Sequence, residues 1–131
     1  MREYVPKEWR VAKERWLEMI YFSRQYNKRK VEIDNIRFEY RAAMNGSGTV
    51  SSSATASPVE QKADRIAALR SKNDMIEMCC RIATKDEPGM YHYLFVYVTN
   101  KVGYAQLGCP CGKNKFSQYR KYYFYLLNTM L

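Results

Sequence analysis

The sequence is poor in histidine, in long apolar runs and, over its last third, in acidic residues. His92 is the single histidine, and no glycine-rich phosphate loop or nucleophile elbow accompanies it, so we expect no enzymatic activity. No apolar run reaches the roughly 18 residues of a membrane span, and the first residues lack the apolar core of a signal peptide. We therefore expect a cytoplasmic protein that does not bind membranes and carries no cofactor.

Cysteine is also scarce, and the spacing of the cysteines disfavours both disulfide bonds and a structural zinc site. The four cysteines form an adjacent pair, Cys79 and Cys80, and a Cys109-Pro110-Cys111 sequence. Neither spacing is typical of a secreted disulfide framework, so we expect reduced thiols. Together with His92 they could supply four zinc ligands, but neighbouring side chains on a helix diverge by roughly 100°, which disfavours a tetrahedral site. We expect no metal, and a proline that stiffens a turn.

What the chain does contain is enough apolar material for one small domain. It has 131 residues, of which 47% are apolar and 15% aromatic, with a mean hydropathy of -0.56. This composition excludes a wholly disordered chain and a membrane protein, and the length excludes most multi-domain enzymes. A folded protein without a catalytic centre remains.

Positive charge is abundant, and it is distributed unevenly. The formal net charge is +9, yet residues 58–87 balance six basic against six acidic residues. Residues 88–131 hold five basic residues, no Asp or Glu, and eight of the twelve tyrosines. A basic segment without internal counter-charges that also carries flat aromatic groups is typical of a surface that meets phosphates.

Hydrophobic periodicity predicts an all-α fold. Residues 1–44 predict a long N-terminal helix, interrupted near Asn27, whose apolar seam at alternating spacings of four and three includes Trp9 and Trp16. Residues 45–57 are small and uncharged and predict a flexible linker. Residues 58–85 predict a second helix, started by Pro58 and a capping box with Ser57, that closes a coiled-coil-like hairpin on the first. Core packing competes with partner binding as the role of the two tryptophans.

Residues 86–131 predict a C-terminal helix-turn-helix DNA-binding domain. Its helices are expected at about 90–100, 104–107 and 113–128, the last two separated by a Gly/Pro turn. On the last helix, Phe116 and Tyr123 are expected in the core. Lysine and arginine bind phosphate or guanine, and asparagine and glutamine bind adenine edges. The residues expected to contact DNA are Lys113, Asn114, Lys115, Ser117, Gln118, Arg120 and Lys121.

The same segment carries a family resemblance. The stretches VGYAQLGCPCGKNKF from Val102 and YRKYYFYLL from Tyr119 resemble phage and prophage transcriptional regulators of the RinA and ArpU type, whose C-terminal part is similar to region four of sigma factors. The turn between Leu107 and Phe116 is a residue or two longer than in sigma region four, with Cys-Pro-Cys-Gly in place of the usual Gly-apolar-Ser.

The resemblance implies a sequence-specific DNA-binding regulator, an activator of phage or prophage late genes. Double-stranded DNA is the implied partner, and the N-terminal helices are left to form a homodimer or to contact host RNA polymerase. Two other readings stay open from the residues. One is a DNA-packaging subunit like a small terminase, which would form a ring; the other is an interaction or inhibitor module that binds protein and has no DNA sequence preference.

Overall fold

A computed structural model describes residues 9–45 and 58–131 of the chain. Within these ranges the chain forms six α-helices, one 3-10 turn and no β-strand, so the predicted all-α class is confirmed for the described residues. The predicted linker at 45–57 and the capping Ser57 lie outside them, apart from Asn45, which ends a helix. The helices are α1 (Lys13–Arg24), α2 (Tyr26–Asn45), α3 (Pro58–Ala83), α4 (Tyr91–Thr99), α5 (Tyr104–Leu107) and α6 (Lys113–Met130); the 3-10 turn spans Pro88–Met90.

The N-terminal helix predicted over residues 1–44 begins only at Lys13 among the described residues, and it is divided in two at Gln25, two residues before the break predicted near Asn27. Gln25 has φ -82° and ψ -1°, and its amide donates to the carbonyl of Phe22 at 3.3 Å, so the helix tightens for a single turn. The halves then pack against different partners, α1 against α4 and α6, and α2 against α3. The break therefore lets one nearly continuous segment serve two sets of neighbours.

A buried polar network joins α2 to α3. The guanidinium of Arg29 donates to Asn73 Oδ1 at 3.2 Å, and Asn73 Nδ2 donates to the backbone carbonyl of Tyr26 at 3.2 Å. Arg29 also stacks over the ring of Phe22 at 4.2 Å, and burial lowers its pKa. Further along, Arg65 pairs with Glu32. Arg29 contacts Asn73, whereas Glu32, which comes later in α2, contacts Arg65, which comes earlier in α3. The two helices therefore run antiparallel.

The core forms where α3 meets α6, with α4 packed against both and α1 packed against α4 and α6. Cys79 and Cys80 on α3 are fully buried there, as are Leu94 and Tyr123. Burial raises the pKa of Cys79 to about 11 and that of Cys80 well above its ordinary value, so both remain neutral thiols. These two cysteines act as small apolar residues of the core.

Residues 91–99 form the aromatic helix α4, although their composition would also suit a buried strand. Tyr26 from α2 meets the ring of Phe95 edge-on at 4.8 Å, and Thr99 Oγ1 donates to the carbonyl of Phe95 at 2.7 Å near the end of the helix. Packing against neighbouring helices thus favours a helix over a strand for these residues. No helix of the described residues is long and apolar enough to cross a membrane.

Candidate nucleic-acid interface

All seven predicted DNA-contacting residues of α6 are exposed or partly exposed. Lys113, Asn114 and Lys115 are exposed in the first turn, and Ser117, Gln118 and Lys121 are partly exposed. At about 100° per residue, Asn114, Gln118 and Lys121 fall within an arc of about 60°. We call the side chains of these six residues the outward face of α6.

The opposite side of α6 is fixed by aromatic packing. Phe116 meets the ring of Tyr97 edge-on at 5.1 Å, and Trp16 packs on Phe124 at 4.3 Å. Phe116 and Tyr123 are buried, as the sequence predicts. Because α4 holds the start of α6 and α1 holds its middle, the orientation of the outward face is set by the core.

The turn before α6 is shaped by glycine and a tyrosine hydrogen bond. Gly108 has φ 65°, a left-handed conformation that ends α5 and that other residues rarely adopt. The Tyr104 hydroxyl donates to the carbonyl of Cys111 at 2.5 Å, which ties α5 to the end of the turn. Gly112 then begins α6 without a side-chain cap. The positive end of the helix is therefore left available for an anion such as a phosphate.

Arg120 lies apart from the other six residues. Its Nη1 donates to the Tyr97 hydroxyl at 3.2 Å, and its guanidinium lies 5.8 Å from the ring centre of Trp16. Its Nε is buried without a hydrogen bond among the described residues. Arg120 is partly exposed and its guanidinium contacts α1 and α4, so it packs against these helices at the edge of the outward face.

Trp9 covers the second half of the outward side of α6, a contact that the sequence pattern does not predict. Its ring stacks on Tyr122 at 4.7 Å with an interplanar angle of 3°, and on Tyr125 at 6.2 Å. Trp16, by contrast, packs on Phe124 at the core, which is the first of the two roles considered for the tryptophans, core packing or partner binding. Trp9 therefore leaves the outward side of the first two turns of α6 uncovered. The spacing of aromatic residues along α6 indicates that Tyr122 and Tyr125 lie close together. No sequence pattern near these residues predicts that they contact Trp9.

An acidic residue from outside the acid-free segment approaches the start of α6. Burial, and then the Glu87 carboxylate, raise the pKa of Tyr119 to about 12. Lys115 lies over the same tyrosine ring at 5.6 Å. The local field is therefore positive on the outward face, with negative charge on the flank towards Glu87.

Among the described residues, no group of three or more His, Cys, Asp or Glu is placed to hold a metal ion. His92 is exposed, with Tyr93 as its ring neighbour at 5.9 Å.

The outward face of α6 can do two things chemically. Its lysines can neutralise phosphates, and its amides and hydroxyl can form hydrogen bonds with base edges. Comparisons with protein-family models, with curated proteins and with solved structures give no match for this chain.

Proposed function

We propose that the chain is a sequence-specific DNA-binding regulator of transcription, an activator of phage or prophage late genes, that reads the major groove with α6. The observation that carries this proposal is the outward face of α6. It combines three exposed residues, Lys113, Asn114 and Lys115, with the partly exposed Gln118, on a helix whose other side is locked in the core. The elements α4, α5 and α6 then serve as the helix-turn-helix, with α6 as the recognition helix.

The accessible length of α6 supports this docking. Recognition helices contact base edges mainly through their N-terminal residues. Here the N-terminal two turns are open, whereas Trp9 covers Tyr122 and Tyr125 further along. The uncapped start at Gly112 adds a site for a backbone phosphate. Lys113 and Lys115 neutralise neighbouring phosphates, and Asn114, Ser117 and Gln118 sample bases.

We also propose that the N-terminal helices form the dimer interface of this regulator. The antiparallel helices α2 and α3 act as the hairpin arm, and α1 and α2 expose apolar side chains at Leu17, Tyr21, Val31 and Phe38. Phe38 is 73% exposed, which is costly for a phenylalanine with no partner. A second copy is the occupant that we propose, because helix-turn-helix regulators bind paired half-sites as two-fold dimers. Light scattering should give a dimer mass, and Phe38→Glu should give the mass of one chain; host RNA polymerase is the partner to test if the wild type is monomeric.

Selection of binding sites from a random pool of duplex DNA tests the regulator. We expect the wild type to enrich one defined motif, and the double variant Asn114→Ala, Gln118→Ala to lose or relax it. The matched control is Asn35→Ala, which removes an exposed amide from α2 and should leave the motif unchanged. The selection is run at two salt concentrations, because phosphate contacts weaken with salt and base contacts set the motif.

Each alternative outcome points elsewhere. Salt-sensitive binding without a motif would contradict sequence-specific regulation and favour a packaging subunit, which a closed ring in light scattering would support. Absence of binding at both salt concentrations would overturn the DNA proposal and leave an interaction or inhibitor module.

A further inference from the structure

Three sulfur atoms lie together beside the turn that precedes α6. Cys109 Sγ is 3.2 Å from Cys111 Sγ and 3.7 Å from Met90 Sδ. Cys109 and Cys111 are half-buried in the turn, and Met90 is buried at the end of the 3-10 turn. The cluster therefore joins two segments that are 19 residues apart in sequence. It takes no part in the proposed DNA contacts.

The chemistry of these atoms favours a soft ion. Two thiolates and one thioether are the ligands that select Cu(I) among the common metal ions. Structural zinc sites need four nitrogen, sulfur or oxygen ligands, and no further His, Cys, Asp or Glu of the described residues completes such a set here. A monovalent soft cation needs only two or three sulfur ligands, which is the number that the cluster provides.

Burial and the neighbouring Cys109 thiol raise the pKa of Cys111 to about 11, so Cys111 is a neutral thiol in the metal-free chain and releases its proton only as a metal binds. The Tyr119 hydroxyl is buried without a well-formed hydrogen bond to any described residue, and it interacts electrostatically with Cys111 as well as with Glu87. The uncapped start of α6 follows at Gly112, and the positive end of a helix stabilises a nearby anion.

We propose that Cys109, Cys111 and Met90 form a binding site for Cu(I). Each of the two thiols releases one proton as its sulfur binds the ion, and the Met90 thioether supplies a neutral third ligand. The oxidation state of the ion does not change, so no electron donor or acceptor is needed. Binding links the 3-10 turn to the turn before α6 and fixes the start of that helix.

Competition with a chromogenic Cu(I) chelator tests the site. The full chain is titrated without oxygen, in ascorbate, against the copper complex of bicinchoninate. We expect the wild type to remove one equivalent of Cu(I) from the chelator, and Cys109→Ser and Cys111→Ser each to lose this capture. Met90→Leu, which conserves volume, should weaken capture without abolishing it. Met78→Leu, which changes an exposed methionine on α3, should behave as wild type.

A second readout separates binding from loss of fold. Cu(I) should raise the thermal unfolding midpoint of the wild type, because a ligand that binds only the folded state stabilises it. It should leave the midpoint of Cys109→Ser unchanged, and that variant should still unfold cooperatively without metal.

Several results would overturn the proposal. Capture that survives in both serine variants would place the copper elsewhere, for example at Cys79 and Cys80. Equal weakening by Met78→Leu and Met90→Leu would remove the thioether from the site. If reduced wild-type protein takes no Cu(I) but loses two hydrogens to glutathione disulfide, Cys109 and Cys111 form a disulfide pair and not a metal site. None of these outcomes depends on whether the chain binds DNA.

Discussion

The hydroxyl oxygens of Tyr123 and Ser23 lie 2.6 Å apart in the core and join α6 to α1. Ser23 Oγ also donates to the carbonyl of Met19 at 2.8 Å, so its single proton is used and Tyr123 is the donor between the two hydroxyls. Tyr123→Phe removes this hydrogen bond while Ser23 keeps its bond to Met19. We expect the free energy of unfolding, measured by urea denaturation, to fall by about 1 kcal/mol.

The control for this prediction is Tyr122→Phe, the next residue along α6. Its ring stacks under Trp9 near the surface, so removal of the hydroxyl should change the free energy of unfolding by less than about 0.5 kcal/mol. An equal fall in the free energy of unfolding in both variants would show that the hydrogen bond between Tyr123 and Ser23 does not stabilise the fold.

Stability should decline in alkaline solution because several buried groups hold their protons more tightly in the folded chain. Burial raises the pKa of Cys79 from 9.0 to about 11, and burial with Glu77 raises that of Tyr26 from 10.0 to about 12. A raised pKa stabilises the folded state fully below the unfolded value, and the contribution is lost as the pH rises through the folded value. The free energy of unfolding should therefore fall from about pH 9 towards about pH 12.

Urea denaturation across this alkaline range provides the measurement. Cys79→Ala should reduce the part of the decline that starts near pH 9, to which Cys80 also contributes, and leave the part that starts near pH 10 from the tyrosines. A free energy of unfolding that stays constant across the range would contradict the burial of these groups.

The lysines at the start of α6 should govern the salt dependence of DNA binding. Each phosphate contact contributes about one unit to the slope of log affinity against log salt, so Lys113→Ala and Lys115→Ala should each lower the slope by about one. Lys72→Ala, at an exposed position on α3, is the matched control and should leave the slope unchanged. Fluorescence anisotropy on one duplex at several salt concentrations measures all four proteins. A slope that responds to Lys72 as strongly as to Lys113 would indicate diffuse attraction instead of docking by α6.

Arg120 should affect stability and leave the salt slope unchanged, because its guanidinium contacts Tyr97 and Trp16. Arg120→Met keeps the apolar stem and loses the hydrogen bond to Tyr97, so we expect a loss of about 1 kcal/mol in the free energy of unfolding. The salt slope of DNA binding should stay at the wild-type value. A slope lowered by about one would return Arg120 to the phosphate-contacting set.

Local patterns predicted the helices well because helix signals are local. The helix from residue 104 to 107 and the starts at Pro58 and Lys113 coincide with prediction, and the predicted core residues Phe116 and Tyr123 are buried. Periodicity also separated the buried and outward sides of α6. These features depend on residues three or four apart, which a single sequence displays directly.

Features that depend on distant neighbours could not be predicted. Arg120 lies on α6 between the buried side and the outward face, so periodicity alone does not predict its contacts. Its contacts with Trp16 and Tyr97 depend on how α1 and α4 pack against α6. Glu87 lies outside the acid-free segment in sequence but next to Tyr119 in space. The burial of Arg29 likewise requires Asn73 from another helix. Each contact follows from how the helices pack, which periodicity does not encode.

The parallel stack of Trp9 on Tyr122 makes the intrinsic fluorescence of Trp9 sensitive to the surface of α6. The chain has two tryptophans, so replacing the core residue Trp16 by phenylalanine leaves the emission of Trp9 alone to be recorded. That indole lies where the accessible turns of α6 end, so its emission responds to whether it stays stacked on Tyr122 or is displaced. Time-resolved emission, with and without DNA, can therefore follow the aromatic cover on α6 without any added label.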